Sequence, residues 1–417
     1  MPGHPANPFL TGRLVALGFM TLSVLAVWWV ARPRNYAVTF LAVGLFLLLH
    51  PVTANAAFLK NDGTALFFSL LALLVVRVGA RSQLHLAGAA LCCVLALASK
   101  QIFISASAAC FVYLLLRQRA AAFRFGLYFL LFAAVLGVVA QAWWGNGFWF
   151  CVMHAPRVPF DSGQFATQWG IMLRQPVFVL LLASWLVTAA TFLYQRRGRE
   201  MIGNPFFLHF LFAVTILFLS IGKPGSSTNY FIEPCLAGIC WLVSMTPPLL
   251  GRTWIKAAIT SVCLVVACWE IASATTRSFA FADPSILEWR WKFHDSLLAD
   301  ATALARGAKR LRVLNLATAS TFHDWPGETS VNDPYLYSLL WKQGVLDPEP
   351  MRETLRDQRY DLIVFRKDTM LVPAASADGL GQIMETMREF YRPLKSESLF
   401  QYWIRTRQPQ TQEASRQ

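Results

Sequence analysis

Long apolar stretches separated by short basic loops dominate the first two-thirds of the chain. A bilayer core takes about 20 apolar residues per helix, and somewhat fewer where neighbouring helices shield the ends. Because these stretches are apolar on every side, helical periodicity does not show which face of each points inward. Length and composition predict ten transmembrane helices, at residues 13–31, 36–50, 62–78, 83–99, 102–117, 123–142, 171–194, 205–221, 229–246 and 254–271.

The pattern changes near residue 272. Of the 23 Asp and Glu residues, five lie in residues 1–271 and the other 18 lie beyond. Apolar runs typical of strands alternate there with predicted helices. The strands are expected at 312–316, 362–365 and 400–404. The helices are expected at 284–306, 335–343, 348–357 and 376–391. We therefore predict an all-α polytopic membrane bundle over 1–271, a small C-terminal α/β domain over 272–407, and a polar disordered tail over 408–417.

The distribution of arginine predicts the orientation of the bundle. Arginines concentrate in alternate loops, which the positive-inside rule assigns to the cytoplasm. Asp62, Lys100, the loops 143–170 and 222–230, and the C-terminal domain then share the extracytoplasmic side. This orientation also leaves the first residues outside the cytoplasm, and the simplest explanation is that a further N-terminal helix and its following loop are missing from this chain.

Composition excludes several classes of protein. The chain is 56% hydrophobic and 14% charged, which is too apolar for a soluble domain, and its 15 Trp and 32 Phe suit interfacial anchors in contact with membrane lipids. The net charge of +14 is scattered over short loops without a basic, aromatic-interleaved patch, so we expect no nucleic-acid partner. The eight cysteines have no CxxC spacing and the seven histidines form no HExxH, which argues against a disulfide framework and a zinc site.

Asp62, in Lys60-Asn61-Asp62, is the only carboxylate in the first 160 residues. A charge at the edge of an apolar segment is costly and usually faces a protein interior or a water-filled cavity, so Asp62 is a candidate site residue. The alternative is that Asp62 caps the helix beginning at Gly63, and the two roles are compatible. Lys100-Gln101 lies on the same predicted side, where Lys100 neutralises a phosphate, pairs with Asp62 or snorkels to the interface.

The loop 143–170 is long enough to be functional and carries His154, Arg157 and Asp161. These residues could hold an acceptor or close over a lipid phosphate. The alternative is an interfacial segment that rests on lipid headgroups through its aromatic residues.

The segment 222–234 combines a glycine- and proline-containing turn with the start of a helix. Asn229 and Glu233 are four residues apart and therefore share a helix face. Helix N-termini favour anions, and Lys223 adds a mobile positive charge, so a lipid-linked phosphate is a natural ligand. The alternative is a loop with capping residues and Pro234 near the helix start, although a buried Glu233 without a role would be costly.

Three segments resemble GT-C-type membrane glycosyltransferases, namely Lys60–Leu73, Leu95–Gln101 and Ser227–Pro234. The nearest likeness is to the RgtA-like and protein-mannosyltransferase-like group, including aminoarabinose transferases of lipid A, and it covers about residues 10–270. The resemblance implies that a sugar moves, with inversion, from a polyprenyl-phosphate donor to an extracytoplasmic glycolipid, cell-envelope glycan or protein. It also implies a multi-pass protein of a bacterial inner membrane.

Members of that family carry an acidic residue in the first extracytoplasmic loop and a second one in the next. Asp62 resembles the second, and no Asp or Glu precedes it, so the first catalytic loop is expected to be missing together with the first helix. Asp62 is the leading catalytic candidate, as a donor-orienting residue or as a ligand of Mg²⁺ or Mn²⁺, and Glu233 is the second. The substrate-binding candidates are Lys60, Lys100, Gln101, His154, Arg157, Asp161, Lys223, Asn229 and Tyr230.

Two other functions stay open at this point. A transporter or flippase of a lipid-linked glycan would more often show internal repeats and helices interrupted at the membrane midplane, and neither is clear in the sequence. A non-catalytic homologue acting in envelope assembly is the other alternative.

Overall fold

The computed structural model describes residues 8–31, 43–49, 51–52, 61–79, 82–149, 152–153, 157–223, 226–245, 312–316, 328–329, 340–341, 344, 346–366, 378–396 and 400–405. These form two compact units, one within residues 1–149 and 159–277 and the other within 150–158 and 278–417. The first unit is helical where it is described, and the second contains a mixed β-sheet. The predicted helices at 254–271 and 284–306 lie outside the described residues.

The first unit is a bundle of apolar helices joined by short connections. Residues 43–48 are also helical, and 3-10 helices lie at Gln101–Ile104 and Thr228–Phe231. The α-helices are α1 (Pro8–Ala31), α2 (Asp62–Gly79), α3 (Gln83–Ser99), α4 (Ser105–Arg117), α5 (Arg119–Trp144), α6 (Asn146–Trp149), α7 (Ser162–Leu173), α8 (Pro176–Tyr194), α9 (Gly198–Ile202), α10 (Pro205–Ser220) and α11 (Ile232–Ser244).

Within the described residues, α2, α5 and α8 are long and apolar enough to cross a membrane. Shorter apolar helices occupy Leu14–Val30, Gln83–Ser99, Gln101–Arg117 and Pro205–Ser220. The helical, apolar character of the predicted bundle is therefore observed, and the total of ten transmembrane helices stays a prediction.

The predicted helix at 171–194 was wrong at its start. The structure ends α7 at Leu173 and begins α8 at Pro176. Proline has no N–H to donate and favours the first position of a helix, so it separates the two helices here. The loop predicted at 143–170 was likewise too long, because α6 and most of α7 fall inside it.

Helix α2 lies at the centre of the described bundle and packs against α1, α3 and α4. Its contact with α1 is close at Gly63, where an added Cβ would lie 3.2 Å from the Ala16 carbonyl oxygen and 3.2 Å from the Met20 nitrogen. The Ser23 hydroxyl donates to the Gly63 carbonyl oxygen at 3.3 Å. Apolar lipid gives helices no hydrophobic drive to associate. Close packing at small residues and interhelical hydrogen bonds stabilise their association instead.

The two ends of the bundle carry different chemistry. At one end the Arg77 guanidinium lies 5.6 Å from the centre of the Phe206 ring, and Arg117 donates to the Gly203 carbonyl oxygen at 3.4 Å. At the other end Asp62, the first residue of α2, pairs with Lys100, the residue that follows α3. The arginines of two alternate loops therefore lie together and away from Asp62, as the charge pattern predicted.

The second unit has a five-stranded sheet in the order β2-β1-β3-β5-β4. Strands β1, β2 and β3 are parallel, whereas β5 is antiparallel to both β3 and β4. Helix α13 covers the sheet core with Leu380, Ile383 and Met387. The elements are β1 (Arg312–Leu316), β2 (Glu328–Thr329), α12 (Glu349–Arg356), β3 (Leu362–Arg366), α13 (Gly379–Phe390), β4 (Tyr391–Ser396) and β5 (Phe400–Arg405).

Three strands are joined at Asp361, immediately before β3. Its carboxylate accepts the Arg312 backbone N–H at 2.9 Å and pairs with the Arg405 guanidinium at 2.9 Å. The strands expected at 312–316, 362–365 and 400–404 are observed, and β2 and β4 were not predicted. Strand β4 lies at the sheet edge, where Pro393, which lacks an N–H, is tolerated.

Candidate functional site

The candidate site is built around Asp62, which begins α2 and whose side chain is only 3% exposed. The sequence allowed a capping role before a helix starting at Gly63, whereas the structure makes Asp62 the first helical residue. A carboxylate in the first helical turn is stabilised by the helix dipole. The close approach of α1 at Gly63 fixes the backbone directly after Asp62.

Lys100 supplies the positive charge opposite Asp62. It ends α3 with an extended backbone, and its Nζ atom lies 2.5 Å from Asp62 Oδ1. A cation at a helix C-terminus is favoured by the dipole of α3, as the carboxylate is favoured at the start of α2. Of the three roles open to Lys100, pairing with Asp62 is observed. The Lys100 side chain remains 21% exposed.

Asn229 and Tyr230 complete the surroundings of Asp62 from the second 3-10 helix. The Asn229 amide Nδ2 lies 3.2 Å from Asp62 Oδ2, and Asn229 Oδ1 accepts the Ser227 hydroxyl at 2.5 Å. The Ser227 bond orients the amide with its nitrogen towards the carboxylate. The Lys100 ammonium also lies 4.8 Å from the centre of the half-buried Tyr230 ring, a cation–π distance.

Glu233 lies four residues after Asn229 but contacts a different set of side chains. It is buried at 3% exposure, accepts a hydrogen bond from the Ser105 hydroxyl, and has Oε1 3.0 Å from His209 Nε2. His209 is itself fully buried. Glu233 therefore belongs to a second polar cluster, Ser105–Glu233–His209, inside the bundle.

The other predicted site residues are distributed differently. Gln101 is exposed directly after Lys100, and Lys223 is half-buried in the connection after α10. Arg157 is exposed and belongs to the second unit, and its predicted role stays a prediction. Lys60 and His154 lie outside the described residues.

Asp161 is the N-cap of α7. Its Oδ1 accepts the backbone N–H groups of Gly163 at 2.7 Å and Gln164 at 3.3 Å. Its own N–H donates to the Gly222 carbonyl oxygen at 2.7 Å, and the Gln164 side chain donates to the Ser226 carbonyl oxygen at 2.8 Å. Helix α7 is thus attached to the connection that leads to Asn229.

The side chains that face Asp62 offer no ligand to Mg²⁺ or Mn²⁺. These ions prefer oxygen ligands, whereas the Asp62 oxygens face the nitrogen donors of Lys100 and Asn229. Across the described ranges, His, Cys, Asp and Glu side chains form no group of three or more that could hold a metal. The metal role predicted for Asp62 stays a prediction.

Ser105, His209 and Ser227 were missed as site residues by sequence reasoning. A lone histidine inside the apolar stretch 205–221 was a signal, because a polar ring there needs a buried partner. The two serines have no comparable signal, since hydroxyl groups in apolar helices often bond only to their own backbone.

Comparison with known proteins shows the fold. No protein family model matches the chain, and no curated protein matches it. Among solved structures it is similar to the crystal structure of ArnT from Cupriavidus metallidurans bound to undecaprenyl phosphate. The TM-score is 0.50 at 14% identity, over 94% of this chain and 83% of that one.

ArnT has the GT-C fold of membrane glycosyltransferases. The likeness covers nearly the whole chain, so the GT-C fold anticipated from the sequence motifs is supported by structure as well. Together with the apolar helices it makes this chain an integral membrane protein. An identity of 14% shows a common fold and leaves substrates to be argued from the residues of this chain.

Proposed function

We propose that this protein is a membrane glycosyltransferase that moves a sugar from a polyprenyl-phosphate donor to an acceptor outside the cytoplasm. The observation that carries the proposal is the partly exposed Lys100 side chain, whose ammonium pairs with the buried Asp62 carboxylate at one end of a GT-C-type bundle. A solved neighbour of this fold binds undecaprenyl phosphate, which makes a polyprenyl phosphate the lipid of first choice.

Lys100 is the proposed phosphate-binding group. Charge-assisted bonds to phosphate are about twice as strong as neutral ones, and a cation aimed at the developing negative charge stabilises a leaving group. Asp62 and the Tyr230 ring hold the ammonium in place, and the Asn229 amide supports the Asp62 carboxylate. The exposed Gln101 follows Lys100 directly in the chain. Lys223, in the connection after α10, is proposed as a further cation towards the same phosphate.

The proposed reaction breaks the bond between the anomeric carbon and the phosphate oxygen while an acceptor hydroxyl oxygen bonds to that carbon from the opposite face. The electron pair of the broken bond stays on the polyprenyl phosphate, next to Lys100. The hydroxyl proton passes to a base. Asp62 is the proposed carboxylate for catalysis, as the donor-orienting residue, and Glu233, the second candidate from the sequence, lies in a separate buried cluster.

The finer assignments follow from the sequence resemblance. They comprise the RgtA-like subtype, a location in a bacterial inner membrane, an extracytoplasmic C-terminal domain, and a glycolipid, cell-envelope glycan or protein as acceptor. The bundle end that carries Asp62 and Lys100 is proposed to face the extracytoplasmic side, because Arg77 and Arg117 lie at the other end.

Binding of undecaprenyl phosphate to the purified full chain in lipid nanodiscs tests the lipid part of the proposal. We expect Lys100→Met to weaken binding at least about tenfold, since one charge-assisted bond to phosphate is lost. Arg117→Met is the matched control, because it removes one cation at the opposite end of the bundle and should leave affinity unchanged. Equal affinities of parent and Lys100→Met would remove Lys100 from the phosphate site.

The same samples test whether lipid binding requires a metal and whether sugar transfer requires Asp62. Because Lys100 supplies the positive charge, we expect EDTA to change the affinity for undecaprenyl phosphate by less than about threefold, whereas a large loss of affinity would support a metal at Asp62.

Transfer of radiolabelled sugar from polyprenyl-phosphate donors to an envelope fraction should be abolished by Asp62→Asn. Unchanged transfer by this variant would exclude the catalytic role of Asp62.

A flippase of lipid-linked glycan is the second candidate, since it would bind the same lipid. In sealed vesicles a flippase moves the fluorescent lipid-linked sugar across the membrane without changing it, whereas a transferase releases polyprenyl phosphate. A non-catalytic homologue would bind the lipid and do neither.

A further inference from the structure

The Ser105–Glu233–His209 cluster is unusual because it buries a carboxylate and an imidazole inside an apolar bundle. Glu233 is 3% exposed and His209 is fully buried. Burying such groups is costly unless they are hydrogen-bonded, and here the Glu233 carboxylate accepts from Ser105 and lies 3.0 Å from His209 Nε2. Because Glu233 Oε1 is a hydrogen-bond acceptor, it fits a His209 imidazole that carries its proton on Nε2 and donates it to this oxygen.

The cluster is connected to the Asp62 site through two short 3-10 helices. Ser105 follows the 3-10 helix Gln101–Ile104 directly, and that helix begins at the residue after Lys100. Glu233 lies two residues after the 3-10 helix Thr228–Phe231, which carries Asn229. Lys100 is therefore separated from Ser105 by one 3-10 helix, and Asn229 lies within the 3-10 helix that leads to Glu233.

Backbone hydrogen bonds hold each 3-10 helix less firmly than they would hold an α-helix. Such helices have poorer hydrogen-bond geometry than α-helices and are short. The first has a non-helical residue at Phe103, and its Phe103 N–H donates to the Lys100 carbonyl oxygen at 3.0 Å. In the second, the Tyr230 N–H donates to the Ser227 carbonyl oxygen at 3.0 Å. A hydrogen bond between Ser105 and Glu233, which follow the two 3-10 helices, would fix the position of one helix relative to the other.

We propose that Glu233 is a positioning residue, which joins the two 3-10 helices through Ser105 and thereby holds Lys100 and Asn229 at Asp62. His209, on α10, donates to the same carboxylate oxygen and keeps Glu233 directed into the bundle. The effect on lipid affinity rests on the proposed function, whereas the coupling of the two 3-10 helices does not. Glu233 acts here through Lys100 and Asn229, without touching substrate.

Hydrogen–deuterium exchange of the unliganded full chain in nanodiscs tests the coupling. In Ser105→Ala we expect the amides of both 101–104 and 228–231 to exchange roughly tenfold faster, because a hydrogen bond to a charged group is lost. Ser107→Ala is the matched control on the same helix, since the Ser107 hydroxyl is buried and has no hydrogen-bond partner within the described residues. If 228–231 exchanges at the same rate in both variants, the proposal is wrong.

Undecaprenyl phosphate affinity gives the second readout. Glu233→Gln keeps an oxygen that accepts from Ser105 and His209, so we expect its affinity within about threefold of the parent, whereas Glu233→Leu should lose at least about tenfold. Equal losses in the Gln and Leu variants would mean that the charge itself acts on the ligand and would overturn the positioning role. Faster exchange in Ser105→Ala, with no lipid binding by any variant, would support the coupling and reject the proposed function.

Discussion

Lys100 Nζ lies 2.5 Å from Asp62 Oδ1, so the C-terminal end of one helix meets the N-terminal end of its antiparallel neighbour in an ion pair. The pair is asymmetric, because the Asp62 side chain is 3% exposed and that of Lys100 is 21% exposed. The carboxylate therefore depends on its partners, while the Lys100 side chain is partly exposed.

This asymmetry predicts the stability of variants of the pair. Lys100→Met keeps most of the aliphatic chain but leaves the Asp62 carboxylate with the Asn229 amide as its one side-chain partner among the described residues, so we expect a loss of about 3 kcal/mol. Asp62→Asn in the Lys100→Met background should recover most of the loss, since no charge is then left buried. A double-mutant cycle on denaturant unfolding in mixed micelles measures both effects. Additive losses would show that the two side chains are not coupled.

Much of this site followed from the sequence because charges are rare in an apolar chain. Asp62 and Lys100 were recognised as candidates since each stands alone at the end of an apolar stretch, and their pairing was one of the alternatives. Asn229 and Glu233 were expected on one face, but a 3-10 helix contains Asn229 and the two side chains bond to different partners. Helical spacing could not show this, because it assumes an α-helix through both residues.

The contribution of Asn229 is the subject of the second prediction. Asn229→Asp changes the side-chain shape very little but replaces the amide nitrogen, 3.2 Å from Asp62 Oδ2, with an oxygen. The new like charge should destabilise the protein by about 2 kcal/mol and weaken undecaprenyl phosphate binding.

Asn204→Asp is a suitable control for that change. Asn204 caps α10 by accepting the N–H groups of Phe206 and Phe207, and aspartate caps equally well, but the Asn204 amide also donates to the Ser244 hydroxyl at 2.9 Å. Asn204→Asp should therefore lose only about 1 kcal/mol of stability, the contribution of one neutral hydrogen bond. Similar unfolding free energies for Asn229→Asp and Asn204→Asp would mean that the Asn229 amide does not support Asp62.

Asp161 was expected to bind an acceptor, and its contacts in the structure lead to a third prediction. Asp161→Ala removes the cap of α7 and should cost about 1 kcal/mol, with faster hydrogen exchange over residues 162–166. Asp161→Asn keeps the capping oxygen and should restore both values. An acceptor-binding carboxylate would behave differently, because the Asn variant would then lose transfer activity while exchange stayed normal.

Gly238 supports the last prediction, which concerns how the helices of the bundle approach each other. A Cβ at this position of α11 would lie 2.4 Å from Cε2 of Trp185 on α8. The Trp185 ring has little room to move, because the Phe210 ring centre lies 4.7 Å from its own. Gly238→Ala should therefore destabilise the protein by about 2 kcal/mol through overpacking.

Gly137→Ala is the control, since a Cβ there meets no atom within 4 Å and alanine is the better helix former. Thermal unfolding in detergent, followed by tryptophan fluorescence, should show a lower midpoint for Gly238→Ala alone, and equal midpoints would mean that α8 and α11 separate easily at this contact.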